Sequence, residues 1–255
     1  MQGKILTKEN VEQDVEKRVE WIRSIVNQSN SKGIIIGESG GKDSAVVTAL
    51  CVKAMGLENV LGVNMPCLSN PDDEKDAYEL IKKFPTRMIT VDLSETFRVI
   101  KNDLTRSLQS LDNPYEELTD TAISNIKPRL RMTTLYALGQ SKGYLVAGTD
   151  NKSERFMGYF TKWGDGAYDF NPIADLTVKE VYILGEYLGV PGEILYKTPS
   201  AGLWKGQTDE DEMGVTYKEI DEYILTGDTN ERAKNILNKS YCQTKHKREM
   251  PYMYK

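Results

Sequence analysis

The feature that most restricts how this chain folds is a glycine-rich turn between an apolar run and a helical pattern. Ile34, Ile35 and Ile36 predict the end of a buried strand, and Ser-Gly-Gly-Lys-Asp-Ser at residues 39–44 leads into a helix predicted over 45–55. Such a turn directs several backbone N–H groups and the positive end of the helix dipole toward one point. The pattern therefore predicts a phosphate-binding loop.

This turn does not fit the Walker A motif, although Gly41-Lys42 invites that comparison. Walker A has Ser or Thr after the lysine and a glycine upstream, where this chain has Asp43 and Ile36. An acidic residue in a phosphate site would repel the anion unless a divalent cation lay between them, so Asp43 is predicted to bind Mg²⁺. A plain helix cap formed by Asp43 or Ser44 is the structural alternative.

Length and charge limit the classes of function open to the chain. Its 255 residues suffice for one large α/β domain and leave no room for a second full catalytic domain. We find no signal-peptide pattern and no apolar run long enough for a membrane span, so we expect a cytoplasmic protein without a membrane partner. The net charge of −5 predicts no nucleic-acid partner, although residues 245–248 are locally basic.

Cysteine and histidine usage excludes several kinds of site. Cys51, Cys67 and Cys242 have neither CxxC nor zinc-ligand spacing, so we expect buried free thiols. His246 is the single histidine, so a triad that pairs Ser or Cys with His would have to use it.

Strand and helix patterns alternate along the chain. Strands are predicted at 33–37, 60–64, 88–91 and 144–147. Helical patterns cover 8–28, 45–55, a segment ending near Phe84, most of 92–143, and 178–188. The alternation predicts an α/β fold with a doubly wound parallel sheet flanked by helices, whose ligand site lies beyond the carboxyl ends of the strands. Residues 148–175 show no clear period and are predicted to form a functional loop.

The residues around the turn resemble those of a known enzyme family. Ser-Gly-Gly-x-Asp-Ser after a strand resembles the PP-loop of the N-type ATP pyrophosphatases, which cleave ATP to an adenylate and pyrophosphate. Further segments together resemble NAD synthetase of the ammonia-dependent type: 125–132, 148–154, 158–172, 199–204 and 244–248. This resemblance implies an adenine nucleotide alpha-hydrolase-like (Rossmann-like) fold with one domain over 1–255. Within it we expect a mobile loop at 198–212, a C-terminal tail at 240–255, and lids at 69–73, 148–175 and 200–212.

The resemblance implies a two-step reaction. In this family the nicotinate carboxylate of deamido-NAD attacks the α-phosphate of ATP, and pyrophosphate leaves. Ammonia then attacks the adenylated intermediate and releases AMP and NAD. The family also implies Mg²⁺ as cofactor, ATP as co-substrate and a homodimer. Because the chain has no room for an amidase domain, we expect free ammonia or a separate ammonia-supplying protein as the nitrogen source.

Site residues can be carried over from the resemblance position by position. The implied catalytic residues are Asp43, Glu154 and Lys162, of which Asp43 and Glu154 are the metal ligands. The implied ATP contacts are Gly37, Glu38, Ser39, Gly40, Gly41, Lys42, Asp43, Ser44, Thr149 and Ser200. The implied deamido-NAD contacts are Arg129, Lys162, Asp169, His246 and Lys247. Taken singly, such residues are more typical of a solvated helix face, a surface carboxylate, a turn or a basic tail, and only their joint spacing favours the functional interpretation.

Two positions depart from the family pattern. Val178 stands where the family usually has a lysine that contacts ATP, and Lys179 cannot replace it because one step along a helix rotates a side chain by roughly 100°. Pro128 stands where alanine is common and would either open the helix that carries Arg129 or kink it. The alternatives are another PP-loop enzyme that amidates or thiolates a different nucleotide, and a degenerate nucleotide sensor, for which Val178 is the main argument.

Overall fold

A computed structural model describes residues 5–68, 87–111, 115–197 and 209–254 of the chain. Within these ranges a parallel sheet in the order β3-β2-β1-β4 forms the centre. Its strands are β1 (Gly33–Gly37), β2 (Val60–Asn64), β3 (Arg87–Thr90) and β4 (Tyr144–Ala147). Ile34 of β1 lies opposite Val60 on one side and Leu145 on the other. The predicted parallel sheet is confirmed.

Helices precede, connect and follow these strands. In chain order they are α1 (Val11–Gln28), α2 (Lys42–Met55), α3 (Ser94–Gln109), α4 (Asp120–Lys142), α5 (Lys152–Met157), α6 (Val178–Leu188), α7 (Gly192–Leu195), α8 (Asp209–Met213), α9 (Tyr217–Thr226), α10 (Glu231–Gln243) and α11 (Lys245–Arg248). Across the described ranges, no helix combines the length and the apolarity that crossing a membrane requires.

The three isoleucines of β1 explain why this strand is the centre of the sheet. Ile34 and Ile36 pack with residues of α1, α2 and α6, whereas Ile35 packs with residues of β2, α3 and α4 on the opposite face. All three are fully buried. Burial of one such side chain contributes about 2 kcal/mol. The packing therefore holds β1 firmly, and the glycine-rich turn projects from its carboxyl end.

A third apolar cluster lies beside this sheet and joins the C-terminal helices to α5 and α6. Its buried members are Met157, Val178, Val215, Tyr217, Ile220, Ala233 and Leu237. The cluster packs α9 and α10 against α5, whose first turn approaches the glycine-rich turn. The C-terminal helices therefore support one wall of the crevice at the end of the sheet.

Several predicted segments are more helical in the structure than their sequences indicate. Residues 148–175 contain α5, and residues 209–212, predicted in a mobile loop, belong to α8, where Asp209 is buried. The predicted tail at 240–255 begins inside α10 and continues through α11. Short polar helices escape notice because capping and tertiary packing, rather than an apolar period, stabilise them.

Smaller differences concern single residues. Pro128 lies inside α4 rather than in its first turn, and Cys242 is exposed, so the expectation of buried thiols was wrong for that cysteine. The helix after the turn starts at Lys42 with Gly41 as its N-cap. The helical pattern ending at Phe84, the lid at 69–73 and the ATP contact Ser200 lie outside the described residues.

Candidate functional site

The glycine-rich turn folds back on itself at the end of β1. Gly40 has a φ of 75°, in the left-handed region that favours glycine. Gly41 N donates to Ser39 Oγ at 3.2 Å, and Ser44 Oγ donates to the Gly41 carbonyl at 3.0 Å. These contacts hold the turn against the first turn of α2. The positive end of α2 is thereby presented to the crevice, an arrangement that binds phosphate.

Asp43 links this turn to the loop that follows β4. Its Oδ2 accepts from Lys42 Nζ at 2.8 Å, and its Oδ1 accepts from Asn151 Nδ2 at 3.2 Å. Asn151 is fully buried and is the N-cap of α5. Asn151 therefore brings two distant segments of the chain together at Asp43.

The same asparagine positions Glu154. Asn151 Oδ1 accepts from Glu154 N, and Glu154 Oε2 accepts from Asn151 N, both at 3.0 Å, in a capping box. Burial, and then repulsion by the Asp43 carboxylate, raise the pKa of Glu154 well above its usual value. Asp43 and Glu154 thus lie close enough to repel each other, as the two predicted metal ligands should.

Lys42 compensates part of this negative charge. Its side chain is 5% exposed, and its ammonium lies 5.6 Å from the centre of the Tyr217 ring. Although burial opposes the charged form, the Asp43 and Glu154 carboxylates raise the pKa of Lys42 above its usual value. The sequence left the direction of Lys42 open, and the structure turns it toward the carboxylates.

The donor set fits a hard divalent cation that is completed by other ligands. Asp43 and Glu154 supply carboxylate oxygens, the ligand type that Mg²⁺ prefers. The neighbouring Asp150 is 5% exposed, and its Oδ2 has no hydrogen-bond partner among the described residues. In the ranges that the structure describes, no three acidic, His or Cys side chains gather tightly enough to hold a metal by themselves. A cation here would therefore share its coordination with phosphate oxygens or water.

Three of the predicted deamido-NAD contacts meet at a second place. Arg129 Nη2 donates to the Lys162 carbonyl at 3.4 Å, and Lys162 Nζ donates to the His246 carbonyl at 2.5 Å. The Lys162 ammonium also lies 5.4 Å from the centre of the Trp163 ring. Trp163 is 52% exposed with a φ of 62°, unusual for a bulky residue. The Arg129 and Lys162 side chains thus lie beside the main chain of His246, and we call these three residues the basic group.

Lys247, the fourth predicted deamido-NAD contact, has its side chain engaged within the fold. Its Nζ donates to the carbonyls of Gly158 and Phe160, both at 2.7 Å. Arg248 Nη1 donates to the carbonyls of Arg155 and Phe156, both at 3.2 Å. We call Lys247 and Arg248 the C-terminal clamp, because they hold residues 155–160 against α10 and α11. A role for Lys247 toward deamido-NAD stays a prediction.

Asp169 is likewise bonded within the fold. Its Oδ1 accepts from the Tyr136 hydroxyl at 3.2 Å, and its Oδ2 accepts from Val146 N at 2.8 Å. Burial, and then the Asp169 carboxylate, raise the pKa of Tyr136 to about 12. Asp169 therefore ties the loop to β4 and to α4. Its predicted contact with deamido-NAD is untested by this geometry.

Thr149, a predicted ATP contact, follows β4 directly and is half-buried. Its neighbour Gly148 packs so closely that a Cβ there would lie 2.3 Å from the Tyr168 ring. That contact requires glycine and sets the path of the backbone into Thr149. Thr149 therefore leaves the sheet at the same edge as the glycine-rich turn, as its predicted role demands.

Val178, the departure from the family pattern, is a core residue. It is 4% exposed and belongs to the apolar cluster with Met157 and Tyr217. The backbone N–H of Lys179 donates to Asp221 Oδ2 at 2.8 Å. The chain thus uses position 178 for packing.

The structure places one predicted residue, Glu38, away from the loop, and one residue, Asn151, escaped the sequence-based reasoning. Glu38 was predicted to help wrap the phosphates, but its Oε1 accepts from the Thr48 hydroxyl beneath α2, and burial raises its pKa to about 7. Asn151 was not singled out, although Asn-x-x-Glu before a helix is a recognisable capping signal. Attention to that signal would have indicated that Asn151 and Glu154 act together.

Comparisons with known proteins agree on one family. Residues 14–255 match the sequence family described as NAD synthase. The NH(3)-dependent NAD(+) synthetase of Carboxydothermus hydrogenoformans is 46% identical over 242 residues, which cover 95% of this chain and 97% of that protein. The enzyme of the same name from Finegoldia magna is 44% identical over 235 residues, covering 92% of each.

Solved structures give the same fold. The NMN synthetase from Francisella tularensis superposes with a TM-score of 0.88 at 38% identity, covering 96% of this chain and 98% of that one. The NH3-dependent NAD synthetase from Campylobacter jejuni superposes with a TM-score of 0.77 at 29% identity, covering 96% and 99%.

Proposed function

Because this chain belongs to the NAD synthase family, we propose that it is a C–N bond-forming ligase that amidates deamido-NAD to NAD with ATP and ammonia. The observation that carries this proposal is the contact between Asp43 and Asn151, with Glu154 held in the same capping box. It joins a phosphate-binding helix N-terminus to a second carboxylate. A sensor that only bound nucleotide would not need that second carboxylate.

In the first step the nicotinate carboxylate would attack the α-phosphate of ATP, and pyrophosphate would leave. Backbone N–H groups at the start of α2 would orient the departing phosphates and stabilise the charge that develops on them. Asp43 and Glu154 would hold Mg²⁺, which when bound supplies positive charge to the phosphate oxygens. Lys42 would add a cation at the same end of the crevice.

In the second step ammonia would attack the adenylated carboxyl carbon, and AMP would leave as NAD forms. The basic group of Arg129, Lys162 and His246 would bind the phosphates of deamido-NAD and keep its nicotinate end beside the phosphate loop.

We also propose a homodimer, supported by apolar side chains that α3 and the following segment expose. These are Val99, Leu104, Leu111 and Tyr115.

A second candidate substrate is nicotinate mononucleotide, which lacks the adenylyl half of deamido-NAD. Its support is the structural similarity to the Francisella tularensis NMN synthetase, whose TM-score of 0.88 exceeds the 0.77 of the Campylobacter jejuni NAD synthetase. The same adenylation and amidation would then act on the smaller nucleotide. The two candidates differ in substrate and share the chemistry.

A product assay separates these possibilities. Purified protein receives ATP, Mg²⁺, ammonium and either deamido-NAD or nicotinate mononucleotide, and the nucleotides are resolved by chromatography. We expect NAD, AMP and pyrophosphate in equal amounts, with a higher kcat/KM for deamido-NAD. A higher kcat/KM for the mononucleotide would support the second candidate. Tight ATP binding with no turnover of either substrate would overturn both in favour of a sensor.

Asp43→Asn is the diagnostic variant for this assay. Loss of the carboxylate should lower kcat by about 10³-fold, because charge stabilisation at the phosphates is lost. Asp175→Asn is the matched control, since Asp175 is a surface carboxylate paired with Arg18 at 2.6 Å. The control should keep full activity.

A further inference from the structure

Tyr217, the first residue of α9, connects α8 to the glycine-rich turn. Its ring lies 5.6 Å from the Lys42 ammonium, and its hydroxyl donates to Asp209 Oδ2 at 3.0 Å. Both Tyr217 and Lys42 are 5% exposed. The attraction between an ammonium and an aromatic ring is strongest where both are withdrawn from water. The Tyr217 ring is therefore a substantial partner of Lys42.

Asp209 fixes the far end of this ring. Its Oδ2 accepts from the Tyr217 hydroxyl, and its Oδ1 accepts from the Tyr159 hydroxyl at 3.2 Å. Burial, and then the carboxylates of Glu154 and Asp209, raise the pKa of the Tyr217 hydroxyl above its usual value, so the phenol stays neutral and remains a donor. The backbone of α9 and the bond to Asp209 thus hold the ring at both ends.

The Lys42 ammonium has a second partner, which a bound metal would take away. Asp43 Oδ2 accepts from Lys42 Nζ at 2.8 Å, and Asp43 Oδ1 accepts from Asn151 Nδ2, which belongs to the capping box of α5. A divalent cation at the Asp43 carboxylate would repel the Lys42 ammonium but not the neutral amide of Asn151. Lys42 is therefore the donor that gives way, and the uncharged Tyr217 ring still attracts it.

We propose that Tyr217 is a positioning residue for Lys42: its ring holds the ammonium in the crevice when Mg²⁺ occupies the Asp43 carboxylate, and so presents the ammonium to the phosphate oxygens of ATP. The inference rests on the proposed function for the identity of ATP and Mg²⁺. Val178 belongs to the same buried cluster as Tyr217 and, being apolar, brings no second cation to the ring. Tyr217 thus acts on the nucleotide through Lys42 rather than by touching it.

The test measures, by calorimetry, the Kd of ATP in the presence of Mg²⁺. Tyr217→Leu removes the ring and should raise this Kd by about tenfold. Tyr217→Phe keeps the ring, loses only the bond to Asp209, and should raise it by less than about threefold. The Kd of deamido-NAD should change by less than about twofold in both variants, because the ring acts at the phosphate end of ATP. Equal damage by Leu and Phe would overturn the proposal.

A double-mutant cycle shows whether Tyr217 acts through Lys42. In a protein that already carries Lys42→Met, Tyr217→Leu should change the Kd of ATP by less than about twofold, because no ammonium remains to be positioned. A second tenfold rise there would show a purely structural effect and overturn the proposal. Trifluorophenylalanine at position 217 keeps the shape of the ring and weakens the negative charge of its face. Its Kd should exceed that of Tyr217→Phe by about fivefold. Equal values would also overturn the proposal, and this pair decides if Tyr217→Leu does not fold.

Tyr223→Leu is the matched control, because Tyr223 is a partly buried tyrosine of the same helix whose hydroxyl donates to Asn238 at 2.8 Å. It should lower the melting temperature and leave the Kd of ATP unchanged. All these measurements use binding rather than turnover. A protein that binds ATP as described but does not amidate deamido-NAD would therefore reject the proposed function alone, whereas a wild-type protein that does not bind ATP with Mg²⁺ would overturn both.

Discussion

The two halves of the crevice treat their charged side chains in opposite ways. Around the phosphate loop, Asp43 and Glu154 repel each other, and Glu38 and Asp150 each keep a buried oxygen that no described residue hydrogen-bonds. Around residues 155–169, by contrast, Lys247 and Asp169 bond their charged atoms to backbone groups and a tyrosine. The first half thus contains buried charge that the fold does not fully compensate, and we call it electrostatically incomplete. The second half compensates these charged groups with hydrogen bonds inside the fold.

This difference separates residues that await a ligand from residues that build the site. An unsatisfied buried charge costs stability unless something binds to it, so its presence indicates a ligand. A charged group whose hydrogen bonds are all made to other groups of the protein contributes mainly to the stability of the fold. Resemblance alone assigns Asp43, Asp169 and Lys247 to ligand contacts, and the hydrogen bonds separate the first from the other two.

The strongest test of this difference between the two halves is the substitution Lys42→Met. The variant removes the ammonium held 2.8 Å from Asp43 Oδ2 and leaves Asp43 and Glu154 uncompensated. Without metal, its free energy of unfolding should fall by about 3 kcal/mol, measured by urea denaturation. Added Mg²⁺ should then stabilise the variant more than the wild-type protein, because the lysine no longer competes for the carboxylates.

Lys53→Met serves as the control for this substitution, since Lys53 lies on the same helix and is exposed. It should change stability by less than about 0.5 kcal/mol. If Lys42→Met is as stable as this control without metal, the phosphate-loop half is not electrostatically incomplete and the comparison fails.

The next largest effect is expected at the C-terminal clamp. Lys247→Met removes two bonds from an ammonium to backbone carbonyls, so the free energy of unfolding should fall by about 2 kcal/mol. Amides of residues 158–166 should also exchange faster with deuterium. Lys245→Met is the matched control, because the Lys245 ammonium is exposed and only pairs with Glu249 at 3.6 Å. Equal behaviour of the two variants would contradict the clamp.

The smallest expected effect tests Asp169. Asp169→Asn keeps one carbonyl oxygen for Val146 N and weakens the bond to Tyr136, so stability should fall by about 1 kcal/mol. KM for deamido-NAD should change by less than about threefold, because both carboxylate oxygens already have partners in the fold. A rise in KM of about tenfold or more at unchanged stability would instead assign Asp169 to substrate binding.

The sequence predicted the glycine-rich turn between β1 and α2 well because its geometry is local. Consecutive residues after an apolar strand place the N–H groups and Asp43 together without help from distant parts of the chain. The metal partner Glu154 was reached only through the family resemblance, because the contact that brings it to Asp43 spans 108 residues through Asn151. No local pattern could indicate that contact.

Side-chain direction was the other limit of the sequence. Glu38 belongs to the loop by position, yet the alternation of β1 turns its side chain under α2 toward Thr48. Lys247 belongs to a basic run, yet its ammonium is directed to carbonyl oxygens. Both outcomes depend on how β1 and α11 pack against other elements, which residue types alone do not determine.

The C-terminal clamp affects which amino-acid substitutions this protein tolerates. Lys247 and Arg248 bond to main-chain oxygens of residues 155–160, and every amino acid type carries such an oxygen. The bonds of the clamp therefore do not depend on which side chains that segment carries, whereas they do depend on the two cations. Gly158 is an exception, because a Cβ there would lie 2.3 Å from Thr244, and the buried Met157 is constrained by its packing. Diversification of this loop would accordingly retain one glycine, two cations and a buried apolar residue at 157 among positions that vary.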